Sequence, residues 1–197
     1  MNSKLLLCAL ALMLGASPLA ARAGTVLMIV PDGSRDLALM LEAEVGVMRS
    51  MLAEAGHSVE IATATDAPMA AGDELLTPTV MLADVDVADY DGILLPCMAP
   101  APGTAQPDAI DAIVAEAHRR GLPLAASRGS VAFLARAGAL DDRVYTSANG
   151  YFLGTTVASS DGVSTAGICP LAARSLGEPD GTRALTQSFL RSLEVGG

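Results

Sequence analysis

The sequence predicts an α/β protein, a three-layer α/β/α sandwich around a mainly parallel central sheet. Three observations predict it. Short apolar runs without polar alternation, such as residues 25–30 (TVLMIV), read as strands covered on both faces. Segments with apolar residues at helical spacing alternate with these runs along the chain. The opening strand, helix and strand form a β-α-β unit of ordinary length, which favours parallel pairing.

The elements follow in order. Residues 25–30 form the first strand, and Pro31-Asp32-Gly33-Ser34 a turn. Leu37, Leu41, Met48, Met51 and Leu52 recur at helical spacing, and the helix stops at Ala55-Gly56. Residues 58–64 (SVEIATA) make the second strand. The stretch 66–89 is turn-rich, with short strands around Leu75-Leu76 and Val80-Met81. Ile93-Leu94-Leu95 is a third buried strand, ending at Pro96-Cys97-Met98, and a Pro/Ala/Gly-rich loop runs over 99–107. Residues 109–120 form an amphipathic helix closed by Gly121. Residues 122–126 form the fourth core strand, and 131–137 a helix stopped by Gly138. Val144-Tyr145-Thr146 and residues 163–168 read as further strands, the latter leading into Pro170. A closing helix covers 181–195. With no repeat or linker, residues 24–197 read as one doubly wound, flavodoxin-like domain. Sites in such sheets lie at the carboxyl ends of the strands, here 31–36, 96–99, 127–130 and 167–170.

Residues 1–23 read as a signal peptide. Lys4 is a positive start, residues 5–14 are apolar, and Ala21-Arg22-Ala23 is a small-x-small cleavage site before Gly24. Ten apolar residues are too few to span a bilayer. The expected destination is the periplasm or the exterior, with no membrane attachment after cleavage. Without Lys4 and Arg22, ten basic residues face 22 acidic ones, a net charge of about −12. That balance argues against nucleic acid and anionic membranes as partners. No lysine remains for Schiff-base chemistry, and two histidines leave few metal ligands or bases. No metal and no cofactor are expected. Cys97 and Cys169 remain, in a compartment where disulfides persist, though two residues alone do not fix a pairing.

Ala125-Ala126-Ser127-Arg128-Gly129 passes from a buried strand straight into a helix, with small residues flanking Ser127. A nucleophile elbow requires that pattern, because the sharp turn brings backbones close. Ser127 serves equally as the cap of its helix. Glu44 lies on the stripe of Leu37, Leu41, Met48 and Met51, so it faces the sheet and must there be paired, hydrogen-bonded or protonated. A small rotation of the helix would instead turn Val45 inward and leave Glu44 at the edge. Glu42 faces solvent.

These features resemble the ThiJ/PfpI (DJ-one) family of the class I glutamine amidotransferase-like superfamily, over nearly all of residues 24–195. The carriers are TVLMIV with PDG, and Glu44 ahead of Ala55-Gly56-His57. Tyr90-Asp91-Gly92-Ile93-Leu94-Leu95-Pro96 and the elbow segment 124–129 come next. Leu134-Ala135-Arg136-Ala137-Gly138-Ala139-Leu140 and Asp161-Gly162 before Thr165-Ala166-Gly167 complete the set. The resemblance implies a small-molecule site at the elbow, Glu44 as the carboxylate that meets the nucleophile, and a possible homodimer. The departures bear on function. Ser127-Arg128-Gly129 stands where the family reads cysteine-histidine-glycine. Pro96-Cys97-Met98 stands where the family has Pro-Gly-Gly, whose amides form an oxyanion pocket.

Ser127 and Glu44 are therefore the candidate catalytic pair, and Arg128, Gly129, Cys97, Met98 and Ser130 the candidate ligand-binding residues. A serine needs a base in contact. His57 starts a strand, and His118 sits in a helix facing away from the strand tips, which leaves only Glu44. The resemblance places Cys97 and Cys169 beside the elbow, either as a disulfide across the pocket floor or as two free thiols in a substitute redox centre. Arg128 favours a carboxylate- or phosphate-bearing ligand, or else pairs with a surface acid. Two functions follow. One is a module without cysteine catalysis that binds a small carbonyl or anionic ligand. The other is a hydrolase or lyase (amidase, peptidase or glyoxalase-like) using Ser127 with Glu44.

Overall fold

Val26 to Val30 are all fully buried, and the reason is visible in how their side chains divide. Successive residues of a strand point to opposite faces. Leu27 and Ile29 enter one apolar cluster, Val26, Met28 and Val30 another, so this one strand feeds two cores. Burying each such side chain stabilises the fold by about 1.5–3 kcal/mol. The chain is described by a computed structural model over residues 23–31, 33, 36–100, 103–141, 147–148, 151–152 and 157–196. The signal-peptide reading of residues 1–22, part of the first turn (Asp32, Ser34) and the strand expected at Val144-Tyr145-Thr146 lie outside these residues.

Strand β1 (Thr25–Ile29) is followed by a helical stretch in three pieces: α1 (Leu37–Met40), a π-helical segment (Leu41–Gly46) and α2 (Val47–Glu54). Then come β2 (Ser58–Thr63), the small hairpin β3 (Met69–Ala71) with β4 (Glu74–Leu76), β5 (Val80–Met81) and β6 (Gly92–Leu95). Helix α3 (Gln106–Arg119) begins three residues earlier than its apolar pattern predicts, because Pro107 fits a first helical turn. Strand β7 (Leu124–Ser127) and helix α4 (Val131–Arg136) come next. The short pairs β8 (Ser147–Ala148) with β9 (Tyr151–Phe152), and β10 (Val157–Ser160) with β11 (Val163–Ala166), precede α5 (Pro170–Leu176) and α6 (Thr182–Gly196).

Among the described residues the main sheet has seven strands in the order β10-β11-β7-β6-β1-β2-β5. Every neighbouring pair is parallel except β10 with β11. One core is closed by α3 and α4 through Ile110, Val114, Phe133 and Leu134. The other is closed by the α1–α2 stretch and α6 through Met40, Val45, Met48, Leu52, Leu185 and Phe189. The predicted three-layer α/β/α sandwich is thus the observed one. Several elements were not legible, among them β3, the β8–β9 pair and α5. Strand β10 is a short antiparallel edge, and the last strand stops at Ala166 instead of running to Ile168, so that Pro170 opens a helix.

Candidate active site

The π-helical segment decides where Glu44 goes. A π turn holds one extra residue per turn, so it shifts the residues that face inward. Here Leu41, Glu44 and Val45 are all buried, while Glu42 is exposed. The two rotations open to an ordinary helix, Glu44 inward or Val45 inward, are both satisfied by the wider turn. Glu44 is 0% exposed and its Oε2 accepts a 2.9 Å hydrogen bond from the backbone N–H of Cys97. Burial raises its pKa from 4.5 to about 7. Contact with the Ser127 hydroxyl and the Cys97 N–H pulls the other way, and Asp180 adds a smaller upward push. Among the described residues Oε1 has no partner of good hydrogen-bond geometry, nor does Ser127 Oγ. The two groups face each other closely enough to affect titration without a well-formed bond.

Strand alternation puts Ser127 there. Leu124 and Ala126 point to the α3–α4 core and Ala125 to the opposite one, so Ser127 also points to the Glu44 side. It is fully buried and caps nothing: no backbone N–H of the following turn bonds its side chain. The sharp bend falls one residue later than the sequence reading placed it. Ser127 keeps an extended backbone (φ −101, ψ 129), while Arg128 has φ +36. Left-handed φ is costly for a residue with a β-carbon, so the strained apex of this turn is Arg128. Its Nη1 donates to Gly167 O at 3.0 Å, tying the apex to the end of β11. Gly129 is exposed, with open space where a β-carbon would stand, so packing does not require glycine there.

Cys97 and Cys169 form a disulfide with Cα atoms 6.1 Å apart, joining the loop after β6 to the residue that precedes α5. The amides of this loop are already used. Cys97 N–H serves Glu44, and Met98 N–H donates to Pro96 O at 2.7 Å. Ser130 is buried and donates to Pro96 O (2.5 Å), which fixes the loop from below. Above it lies a cleft of about 700 Å³, walled by Cys97, Met98, Pro100, Phe133 and Leu171, with Asp111 and Arg136 on its rim. Arg136 Nε bonds both Asp111 oxygens at 2.9 Å, and its guanidinium lies 4.6 Å from the Phe133 ring centre.

The model of the DJ-1/PfpI family matches residues 25–164. This chain belongs to the DJ-1/PfpI family. Solved structures of similar fold include a ThiJ/PfpI domain protein from Brachyspira murdochii. It has a TM-score of 0.67 and 12% identity, over 87% of this chain and 96% of that one. DJ-1 from Toxoplasma gondii in an oxidized form has a TM-score of 0.59 and 20% identity, over 88% and 96%. A DJ-1 superfamily protein from Agrobacterium tumefaciens has a TM-score of 0.56 and 18% identity, over 85% and 97%. At such identities the likeness is one of fold. No match was found among curated proteins.

As a DJ-1/PfpI chain, the protein brings only some of its candidate residues together. Glu44, Ser127 and the Cys97 amide meet in the interior. Cys97, Met98 and Gly129 line the cleft, whereas Glu44, Ser127, Arg128 and Ser130 do not. His57 is at the other end of the sheet, its Nδ1 accepting from Gly24 N at 3.3 Å, and His118 is on α3. No cluster of three or more His, Cys, Asp or Glu side chains fit for a metal ion occurs among the described residues. Sequence reasoning missed Asp111, Phe133, Arg136 and Leu171. They come from three helices far apart in sequence, and within each helix they read as ordinary surface or core residues. Cys169 lies beyond the segment that the family matches.

Proposed function

We propose that this protein is a periplasmic or secreted DJ-1/PfpI member that binds a small carbonyl-bearing ligand and lacks the family's cysteine-dependent catalysis. One observation carries the reading. The two amides that the resemblance assigns to an oxyanion pocket, Cys97 N–H and Met98 N–H, are both hydrogen-bonded within the protein. Acyl transfer depends on such donors being free to meet developing charge. The turn supports the same reading, since it presents Arg128 at its apex and buries Ser127 beneath. Of carbonyl and anionic ligands, the cleft favours a carbonyl compound with an apolar body. Its walls are largely apolar, Arg128 is turned to Gly167 O, and Arg136 is already paired with Asp111. Export follows from residues 1–23, and among the described residues no helix is long and apolar enough to cross a membrane. A homodimer is proposed on the family resemblance alone.

A second reading has one observation in its favour. Glu44, with a pKa near 7 and beside Ser127, is tuned as a general base at neutral pH. A hydrolase or lyase would use it to activate the hydroxyl. Calorimetric titration with neutral ketones of growing apolar body, acetone to 4-phenyl-2-butanone, tests the first reading, with Ala132→Trp to fill the cleft. Saturable binding that tightens along the series and is lost in the variant is expected. Turnover of amide, ester or 2-oxoaldehyde substrates that disappears in Ser127→Ala would replace it with the enzyme.

A further inference from the structure

The Cys97–Cys169 bond joins two sulfurs in unlike surroundings. Cys97 is half-buried and stands in the wall of the cleft, whereas Cys169 is 1% exposed and precedes α5 in the interior. The only other cysteine of the chain is Cys8, so no third thiol competes within residues 23–197. We propose that this disulfide is a thiol–disulfide exchange site, in which a low-molecular-weight thiol entering the cleft attacks Cys97 and Cys169 is the leaving sulfur.

Exchange requires a thiolate to reach one sulfur, and access decides which sulfur is attacked. The cleft offers that access at Cys97 alone, and it is roomy enough at about 700 Å³ for a small thiol. Its walls at Met98, Pro100, Phe133 and Leu171 favour a thiol with an apolar body over a strongly charged one. In the first step the thiolate forms a bond to Cys97 Sγ and the Sγ–Sγ bond breaks. The bonding pair leaves with Cys169, which takes a proton from solvent. In the second step another thiolate attacks the external sulfur of the mixed disulfide and releases Cys97 as a thiolate, which is protonated in turn. Two thiols are oxidised to one disulfide, and the protein's disulfide is reduced to two thiols. An external disulfide would reverse both steps. Neither the Ser127 hydroxyl nor the Glu44 carboxylate takes part in the exchange, so the proposal does not rest on the cleft holding a carbonyl ligand.

The test incubates the oxidised protein, under native conditions, with glutathione or benzyl mercaptan, quenches with iodoacetamide and maps adducts by mass. Mixed disulfide is expected on Cys97, formed at least tenfold faster with benzyl mercaptan than with glutathione at equal thiolate concentration. The rate should be unchanged by urea below the unfolding transition. In Cys169→Ser the Cys97 thiol should react in the folded protein, and in Cys97→Ser the Cys169 thiol should react only on unfolding. Opening only at urea concentrations that unfold the chain would make the bond a structural staple and overturn the proposal. Adducts on Cys169 would do the same, as would two free thiols that no oxidant joins. Should either variant fail to fold, the wild-type rates and adduct map decide alone.

Discussion

Glu44 is an acid held in a place that favours its neutral form. Its folded pKa of about 7 lies above the 4.5 of the free side chain, so between these values the folded state keeps a proton that the unfolded chain releases. The stabilising effect is complete below pH 4.5 and disappears as pH rises through 7. Across that window of about 2.5 units the group's contribution falls by about 3 kcal/mol. Glu44→Gln copies the protonated shape: its oxygen still accepts from Cys97 N–H, and its amide can donate towards Ser127. We expect chemical denaturation of the wild type at pH 5 and pH 8 to show this loss, and Glu44→Gln to be the more stable chain at pH 8. An unchanged pH dependence in the variant would place the titration elsewhere. Ser127 Oγ makes no good hydrogen bond among the described residues although buried, and such a group adds little to stability. Ser127→Ala should change the unfolding free energy by less than about 1 kcal/mol; a larger loss would mean that the hydroxyl has a strong partner.

The elements around the site owe their positions to close packing. Gly92 opens β6, and a β-carbon there would lie 2.8 Å from both Leu193 Cδ2 and Phe189 Cζ of α6. Phe189 is fully buried and cannot swing away. Gly92→Ala should therefore push α6 off the sheet and cost about 1–3 kcal/mol, seen as a lower denaturation midpoint with an unchanged slope. The helical stretch 37–54 shows the limit of periodic reading at this scale. Its apolar spacing announces a helix, and Leu37, Leu41, Met48 and Leu52 do face inward wholly or in part. The π turn at Leu41–Gly46 has no spacing signature, since a helix that widens for six residues displaces only one position in the pattern. The apex at Arg128 was hidden for a related reason. Small residues around Ser127 suit a sharp turn at either residue, and only the backbone φ of the folded chain separates them.

For the whole molecule, the disulfide closes a loop of 72 residues that contains α3, β7, α4 and the strands up to β11. Restricting that loop in the unfolded chain stabilises the fold by about 4 kcal/mol on the chain-entropy account. Replacing both cysteines by alanine should lower the melting temperature of the oxidised protein towards that of the reduced wild type, measured by calorimetry with and without reductant. The fold class was readable because both-face burial leaves continuous apolar runs and helices leave a 3.6-residue stripe, patterns written locally in the chain. The strand end that carries Ser127 was readable in the same way, whereas periodicity left Glu44 and Val45 as alternatives for the inward position and the π turn buries both. The cleft, the commitment of the Cys97 and Met98 amides and the joining of Cys97 to Cys169 were decided only by the tertiary structure. Each depends on segments dozens of residues apart arriving at the carboxyl ends of the central strands, and no local pattern records which of them will meet.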